Sequence, residues 1–260
     1  MANVVINCDD LGLNLATNEA IGTLFSKNLI TSCSALVNFE EIYSARDIAN
    51  ELGFSEKIGL HFNITQGLPL SDDIKHVTRI FSNGMLRDDF RSQKIKVLGF
   101  EPVFMNFLSR SDLSAIKREF NCQVDRFVDV FGILPSHVDS HHGSHHDPII
   151  FVFLCKWVRE RGIKAVRPQF NMGTTLSSVK FIKNSLNRYA KWTLESQADF
   201  FGSLDEFTNH GLNKESKVEL MVHAIQTDLD GINDIDGMNL ERKILAAKLH
   251  CHQLCSYRDF

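Results

Sequence analysis

Short apolar, β-branched segments alternate with longer amphipathic ones along almost the whole chain, and that alternation limits the folds open to it. Residues 4–8 read as a buried strand, with a helix over 16–27 behind it. Residues 31–38 read as a second strand with a helix over 42–52, and 58–64 as a third strand. A Phe-rich, irregular stretch follows over 68–109. Leu113, Ile116, Phe120, Val124, Phe127, Val128 and Phe131 then recur at spacings of three and four, which predicts a helix capped by Ser111 or Asp112 and ended by Gly132. Further strands are expected over 137–140, 164–167, 200–202 and 218–223. Helices are expected over 148–161 and 176–194, with a last one from Asn239 to about Cys255. Strands alternating with crossover helices build a parallel sheet. Seven or so strands in this length predict one α/β domain over residues 1–260, a distorted or incomplete (β/α) barrel. An open doubly wound sheet is the competing picture, but its GxGxxG fingerprint after the first strand is absent.

Composition removes several function classes. A hydrophobic fraction of 43% with 23% charged residues is that of a globular chain, and a formal net charge of −4 gives no basic surface for a nucleic acid. The longest apolar run, 149–155, stops at Lys156, far short of the roughly 20 residues of a membrane span. No charged segment followed by an apolar one precedes Val4-Val5-Ile6, and the six cysteines form no CxxC pair. Both point to a cytoplasmic protein with reduced thiols.

The chemistry-bearing residues gather at strand ends. The first strand runs into Asp9-Asp10-Leu11-Gly12, and adjacent carboxylates there allow one to hold a metal while the other reaches water. A turn is the competing reading of the same residues. The third strand carries His61, which alone would more often be a packed core histidine. The densest signal is His137-Val138-Asp139-Ser140-His141-His142-Gly143-Ser144-His145-His146, five of the chain's eleven histidines in one stretch. Imidazole is a favoured ligand of divalent metals, and on an extended segment His137, Asp139 and His141 share one side. Val218-Glu219-Leu220-Met221-Val222 then delivers His223 at a strand end. In a β/α barrel the C-terminal strand ends converge on one face, where active sites form. His250, Cys251, His252 and Cys255 form a weaker cluster, expected inside the last helix as packed thiols and rings rather than ligands.

These residues, in this order, resemble the YdjC-like carbohydrate deacetylases, the family of the chito-oligosaccharide deacetylases. The resemblance runs through Asp9-Asp10-Leu11-Gly12, Thr31-Ser32, Ala35-Leu36-Val37-Asn38, Gly59-Leu60-His61-Phe62, His137-Val138-Asp139-Ser140-His141-His142, Glu219-Leu220-Met221-Val222-His223 and Ser256-Tyr257-Arg258-Asp259. Residues 68–110 and 170–215 match weakly, and Cys8 and Ala224 stand where the family usually has Ala and Pro. The resemblance implies a distorted β/α barrel, a metal held by Asp10, His61 and His141, and Asp9 as catalytic base.

The expected reaction is removal of an N-acetyl group from a small amino sugar with release of acetate. It would use one divalent ion, Mg2+ or Zn2+, to polarise the carbonyl and acidify water. His223 is the candidate general acid for the departing amine. Asp139 is expected to orient a histidine, and His137 and Arg167 to support the site or meet substrate, with a plain surface position as the other reading of Arg167. A metal-dependent phosphoesterase and a non-catalytic carbohydrate-binding barrel are the alternatives. No membrane or nucleic acid partner is expected, and a homodimer is the candidate assembly.

Overall fold

The computed structural model describes residues 1–260 other than 93, 96–102, 105–107, 174–176, 208–214, 228–230, 248, 250 and 251. Its first three strands are β1 (Asn3–Leu11), β2 (Ser32–Ala35) and β3 (Ile58–Phe62). Two small antiparallel hairpins interrupt the alternation: β4 (Phe81–Ser82) with β5 (Met85–Leu86), and β6 (Lys94–Ile95) with β7 (Val103–Phe104). Next come β8 (Val138–Ser140), β9 (Phe200–Ser203) and β10 (Lys217–His223). The hairpin of β11 (Ile225–Thr227) with β12 (Gly231–Asn233) and the short β13 (Gln253–Leu254) follow. Around them lie α1 (Leu15–Ser26), α2 (Ile42–Leu52), α3 (Arg110–Phe131), α4 (Pro148–Glu160), α5 (Ser177–Thr193), α6 (Leu204–Phe207) and α7 (Leu240–Ala246). No helix among the described residues is long and apolar enough to cross a membrane.

Six strands lie in the order β8-β3-β2-β1-β10-β9, every pair parallel, and β13 pairs with the start of β1 as a seventh. The sheet curls until its ends meet. Val166, itself in no strand, forms a single parallel bridge to Val138, the first residue of β8. The Val166 N–H donates to Gln197 Oε1 at 3.1 Å, and Gln197 Nε2 donates back to Val166 O just ahead of β9. A side-chain amide thus stands where a strand pairing would close the ring. The result is the distorted, incomplete (β/α) barrel expected from the alternation.

Three sequence expectations need correction. Residues 164–167 make one bridge rather than a strand, because the Gln169 N–H, the next donor in line toward β8, goes instead to Asn187 Oδ1 at 2.7 Å. The long helix starts earlier than Ser111: the Ser109 hydroxyl accepts from Asp112 N while Asp112 accepts from Ser109 N, a reciprocal capping box. Its end is as expected, at Gly132 with φ 73°, a left-handed conformation glycine adopts without a Cβ penalty. The last helix is much shorter than expected. Asn239 caps it, but it ends at Ala246, and the Gln253 and Cys255 N–H groups donate to Ala2 and Val4 carbonyls. Pairing with β1 outcompetes helix propensity there. His252 and Cys255 therefore lie outside any helix, while His250 and Cys251 fall outside the described residues. Among the described residues the five cysteines are free thiols, as expected.

The strand alternation has an unusual content. On β1, Val4, Ile6 and Cys8 face the main apolar core under the helices, whereas Val5 joins Ala165, Cys255 and Tyr257 in a small separate cluster. Asn7 and Asp9 continue on Val5's side, and the register pairs Val5, Asn7 and Asp9 with Glu219, Met221 and His223 of β10. The barrel interior is therefore apolar at its floor and increasingly polar toward the C-terminal mouth.

Candidate active site

The two adjacent carboxylates are separated by a bulge. Cys8 pairs with Cys33 and Leu11 with Ala35, so Asp9 and Asp10 together oppose the single residue Ser34. Asp10 takes φ 73°, a left-handed conformation uncommon outside glycine. In a regular strand neighbours point to opposite faces; here the kink aims both side chains into the mouth, at different partners.

Asp10 meets two imidazoles. Its Oδ1 lies 3.2 Å from His61 Nε2 and 2.9 Å from His141 Nδ1. Donor atoms of the three residues all lie within 4.8 Å of one another. The far nitrogen of each ring is engaged: His61 Nδ1–H donates to Asp139 Oδ1 at 2.7 Å, and His141 Nε2–H donates to Gln66 Oε1 at 2.7 Å. Those bonds select tautomers whose lone pairs face the Asp10 oxygen. Asp10 Oδ1 is buried and accepts no hydrogen bond. Three electron-pair donors converging without a proton between them fit a divalent cation, so the metal the sequence implies matches the donor set. Without the ion the cluster must hold protons instead. Burial alone would lower the His61 pKa, but Asp139, Asp9 and Asp10 push it up to about 10. Burial likewise opposes the charge on Asp10, yet His141 and His61 hold its carboxyl well below the usual range.

Asp9 faces the other way. Arg167 grips it with both terminal nitrogens, Nη1 to Oδ2 at 2.7 Å and Nη2 to Oδ1 at 2.6 Å. The same guanidinium reaches Asp139 Oδ2 at 2.8 Å and Glu219 Oε1 at 2.6 Å, and its Cζ lies 4.9 Å from the Phe201 ring centre. Arg167 is 1% exposed, which excludes the surface reading. A guanidinium this deep stays charged: burial opposes it, but Asp139, Asp9 and Glu219 hold its pKa well above the ordinary value. Asp139 also takes a hydrogen bond from Ser34 Oγ at 2.8 Å, and Arg167 and His61 keep it ionised against burial.

His223 is the register partner of Asp9 across the β1–β10 pair, so the two project side by side. Asp234 Oδ1 lies 3.7 Å from His223 Nδ1, an ion-pair distance, and accepts from the His223 backbone N–H at 3.0 Å. Asp234 is itself held by Lys243 Nζ at 2.8 Å. Burial would lower the His223 pKa, but Asp234, Asp9 and Asp10 raise it.

The rest of the histidine segment does other work. His137 is buried and stacks on Tyr257, ring centres 4.0 Å apart, and its nitrogens are not among the donors gathered around Asp10. His142 stacks on His141 at 3.9 Å, and His145 pairs with Ser140 Oγ at 2.6 Å. Of five histidines in the stretch, only His141 enters the cluster; the density comes from packing around the turn after β8. Gln66, Asp234 and Lys243 carry no motif. Gln66 is positioned by Asn63, whose Oδ1 accepts from the Thr65 and Gln66 N–H groups directly after β3.

A seven-stranded parallel barrel with its titratable groups at the C-terminal mouth defines an enzyme scaffold of the β/α class. A profile of the YdjC-like protein family matches residues 3–252. The chain belongs to the YdjC-like family, a family of carbohydrate deacetylases. A chitooligosaccharide deacetylase of Salmonella paratyphi C is 30% identical over 231 residues, covering 86% of this chain and 82% of that protein. One from Salmonella typhimurium is 34% identical over 160 residues, 62% of this chain and 57% of the relative. The fold is also that of an Enterococcus faecalis protein to which cellobiose-phosphate cleavage has been ascribed. The TM-score is 0.73 at 16% identity, over 99% of this chain and 98% of that one.

Proposed function

We propose that this chain removes the N-acetyl group from short N-acetylated chito-oligosaccharides, the substrate class named for its curated relatives, releasing acetate and a free sugar amine. The observation that carries the reading is the separation of roles at the bulge. Asp10 faces two imidazole lone pairs, while Asp9, one residue away, is clamped beside His223.

Asp10, His61 and His141 would hold one divalent ion, and two imidazoles with one carboxylate suit zinc, cobalt, nickel or manganese better than magnesium. Such an ion, when bound, polarises the acetamide carbonyl and makes water acidic enough to attack at neutral pH. Asp9 takes the proton of the attacking water. Arg167 fixes the direction of the Asp9 oxygens. His223, kept protonated with the help of Asp234, donates to the sugar nitrogen as the C–N bond breaks.

A phosphoesterase reading is disfavoured by Arg167. Its edges are taken by Asp9, Asp139 and Glu219, so it offers nothing to a phosphoryl oxygen. The test is acetate release from N-acetylated chito-oligosaccharides by protein reconstituted with Zn2+, Co2+ or Mg2+. Phosphate release from phosphomonoesters without acetate release would overturn the reading.

A further inference from the structure

Arg167 carries more negative partners than charge balance requires. Asp9 and Asp139 already outweigh its single positive charge, yet Glu219, fully buried, adds a third carboxylate. That burial is costly: desolvation, helped by Asp139, pushes the Glu219 pKa up to about 7 despite Arg167 and Tyr257. Neutralisation does not explain Glu219, but geometry does. A guanidinium is a rigid plane, and the Asp9 fork fixes only its Nη edge. Glu219 Oε1 fixes the adjacent Nε edge at 2.6 Å. Two edges held from different strands determine the plane.

Glu219 is itself held from the C-terminal segment. Its Oε2 accepts from the hydroxyl of Tyr257, which is 1% exposed. The Tyr257 ring stacks on His137 at 4.0 Å and 12°, and His137 lies against Gly59, where an added Cβ would stand 2.3 Å from the imidazole. Backbone bonds from Gln253 and Cys255 to β1, and a side-chain bond from Lys217 Nζ to Phe260 O at 2.8 Å, tie this segment to the barrel floor.

We propose that Glu219 and Tyr257 are positioning residues for the base, locking the plane of Arg167 so that both its Nη groups face Asp9. The inference rests on the reading of Asp9 as base of a deacetylase. It gives Glu219, His137 and the closing Ser256-Tyr257-Arg258-Asp259 motif a shared task, with His137 as the platform under Tyr257.

The experiment compares Glu219→Leu, Glu219→Gln and Tyr257→Phe with wild type in the full-length, metal-reconstituted protein. Three quantities are read: kcat and KM for acetate release, metal content, and the NMR resonance of the Arg167 Nε–H, assigned by its loss in Arg167→Lys. Glu219→Leu is expected to lower kcat by about tenfold or more at unchanged KM and metal content, as misorientation does. Its Arg167 Nε–H should shift and exchange with solvent. Glu219→Gln, which keeps a planar acceptor, should recover most of the kcat and the resonance. Tyr257→Phe should give a smaller loss of the same kind. Wild-type kcat or an unmoved resonance in Glu219→Leu overturns the proposal. So does a kcat loss that follows lost metal and is not rescued by Gln. Should Glu219→Leu not fold, Tyr257→Phe decides, since it removes only a hydroxyl; unchanged kcat and resonance there overturn it. If wild type releases no acetate with any ion, the deacetylase reading fails, and the Arg167 resonance still reports whether Glu219 and Tyr257 set its plane.

Discussion

His61 and Asp139 are register partners on the parallel strands β3 and β8, and their side chains meet at 2.7 Å between Nδ1 and Oδ1. Partners in register project to the same face, so sheet pairing itself delivers the carboxylate to the far nitrogen of the imidazole. The tautomer of His61 is thereby set by the fold, and Nε2 is left to face Asp10.

Asp139→Asn should therefore weaken metal binding by about 10- to 100-fold, as loss of such orienting partners does. His61→Ala and His141→Ala should weaken it further. Competition against a chelator measures all three. Wild-type affinity in Asp139→Asn would remove the orienting role.

Metal loading should also release protons. With the His61 pKa pushed up to about 10, the metal-free protein carries a proton there at pH 7 that a bound cation must displace. Calorimetry in buffers of different ionisation enthalpy should find about one proton released per ion. The sign for stability follows from the raised value. The contribution of His61 is fully present below its unfolded pKa of about 6.5 and is lost as pH rises through about 10. The metal-free protein should accordingly melt at lower temperature at pH 9.5 than at pH 6.5.

Much of this barrel can be read from the sequence. The helix over 42–52 and the strand ends bearing Asp9, Asp10, His61, His141 and His223 follow from local pattern, because period and capping act over a few residues. The role of Arg167 does not follow from pattern. Its burial depends on Asp9, Asp139 and Glu219, from three strands far apart in the chain, and no local feature separates it from a surface arginine. Asp234 and Gln66 are hidden for the same reason: each is defined by the histidine it reaches, not by its neighbours. The last helix is shorter than its amphipathic spacing predicts because the edge of β1 at Asn3 and Val4 claims residues 253–255.

Gly59 is a packing requirement visible only in three dimensions. A Cβ at this position would lie 2.3 Å from His137 Cε1, and that ring is pinned between the strand and Tyr257. Gly59→Ala should destabilise by about 1–3 kcal/mol, the range for overpacking a filled core. Chemical denaturation measures it, and an unchanged midpoint would show that His137 has room to move.

Asp9→Asn and Asp10→Asn should fail differently. Asp9→Asn keeps the three donors at Asp10, so metal content should stay near wild type while kcat falls by about 100-fold or more, the scale of a lost general base. Asp10→Asn removes the carboxylate both imidazoles face and should lose the metal itself. Metal analysis after dialysis, paired with acetate release, separates the two. Equal metal loss in both variants would overturn the division of roles at the bulge.

The last prediction concerns His223 and the carboxylate behind it. If His223 protonates the leaving amine, its deprotonation sets the alkaline limb of the pH–rate profile, and His223→Ala should remove that limb. It should also lower kcat by about 100-fold or more, with metal retained. Asp234 offers a finer test. Burial opposes the charge on His223, and Asp234 is among the groups that raise its pKa, with Lys243 holding Asp234 in place at 2.8 Å. Asp234→Asn takes away that negative charge, so the pKa of His223 should fall and the alkaline limb should move to lower pH. An alkaline limb unmoved in Asp234→Asn and still present in His223→Ala would assign the acid to another group.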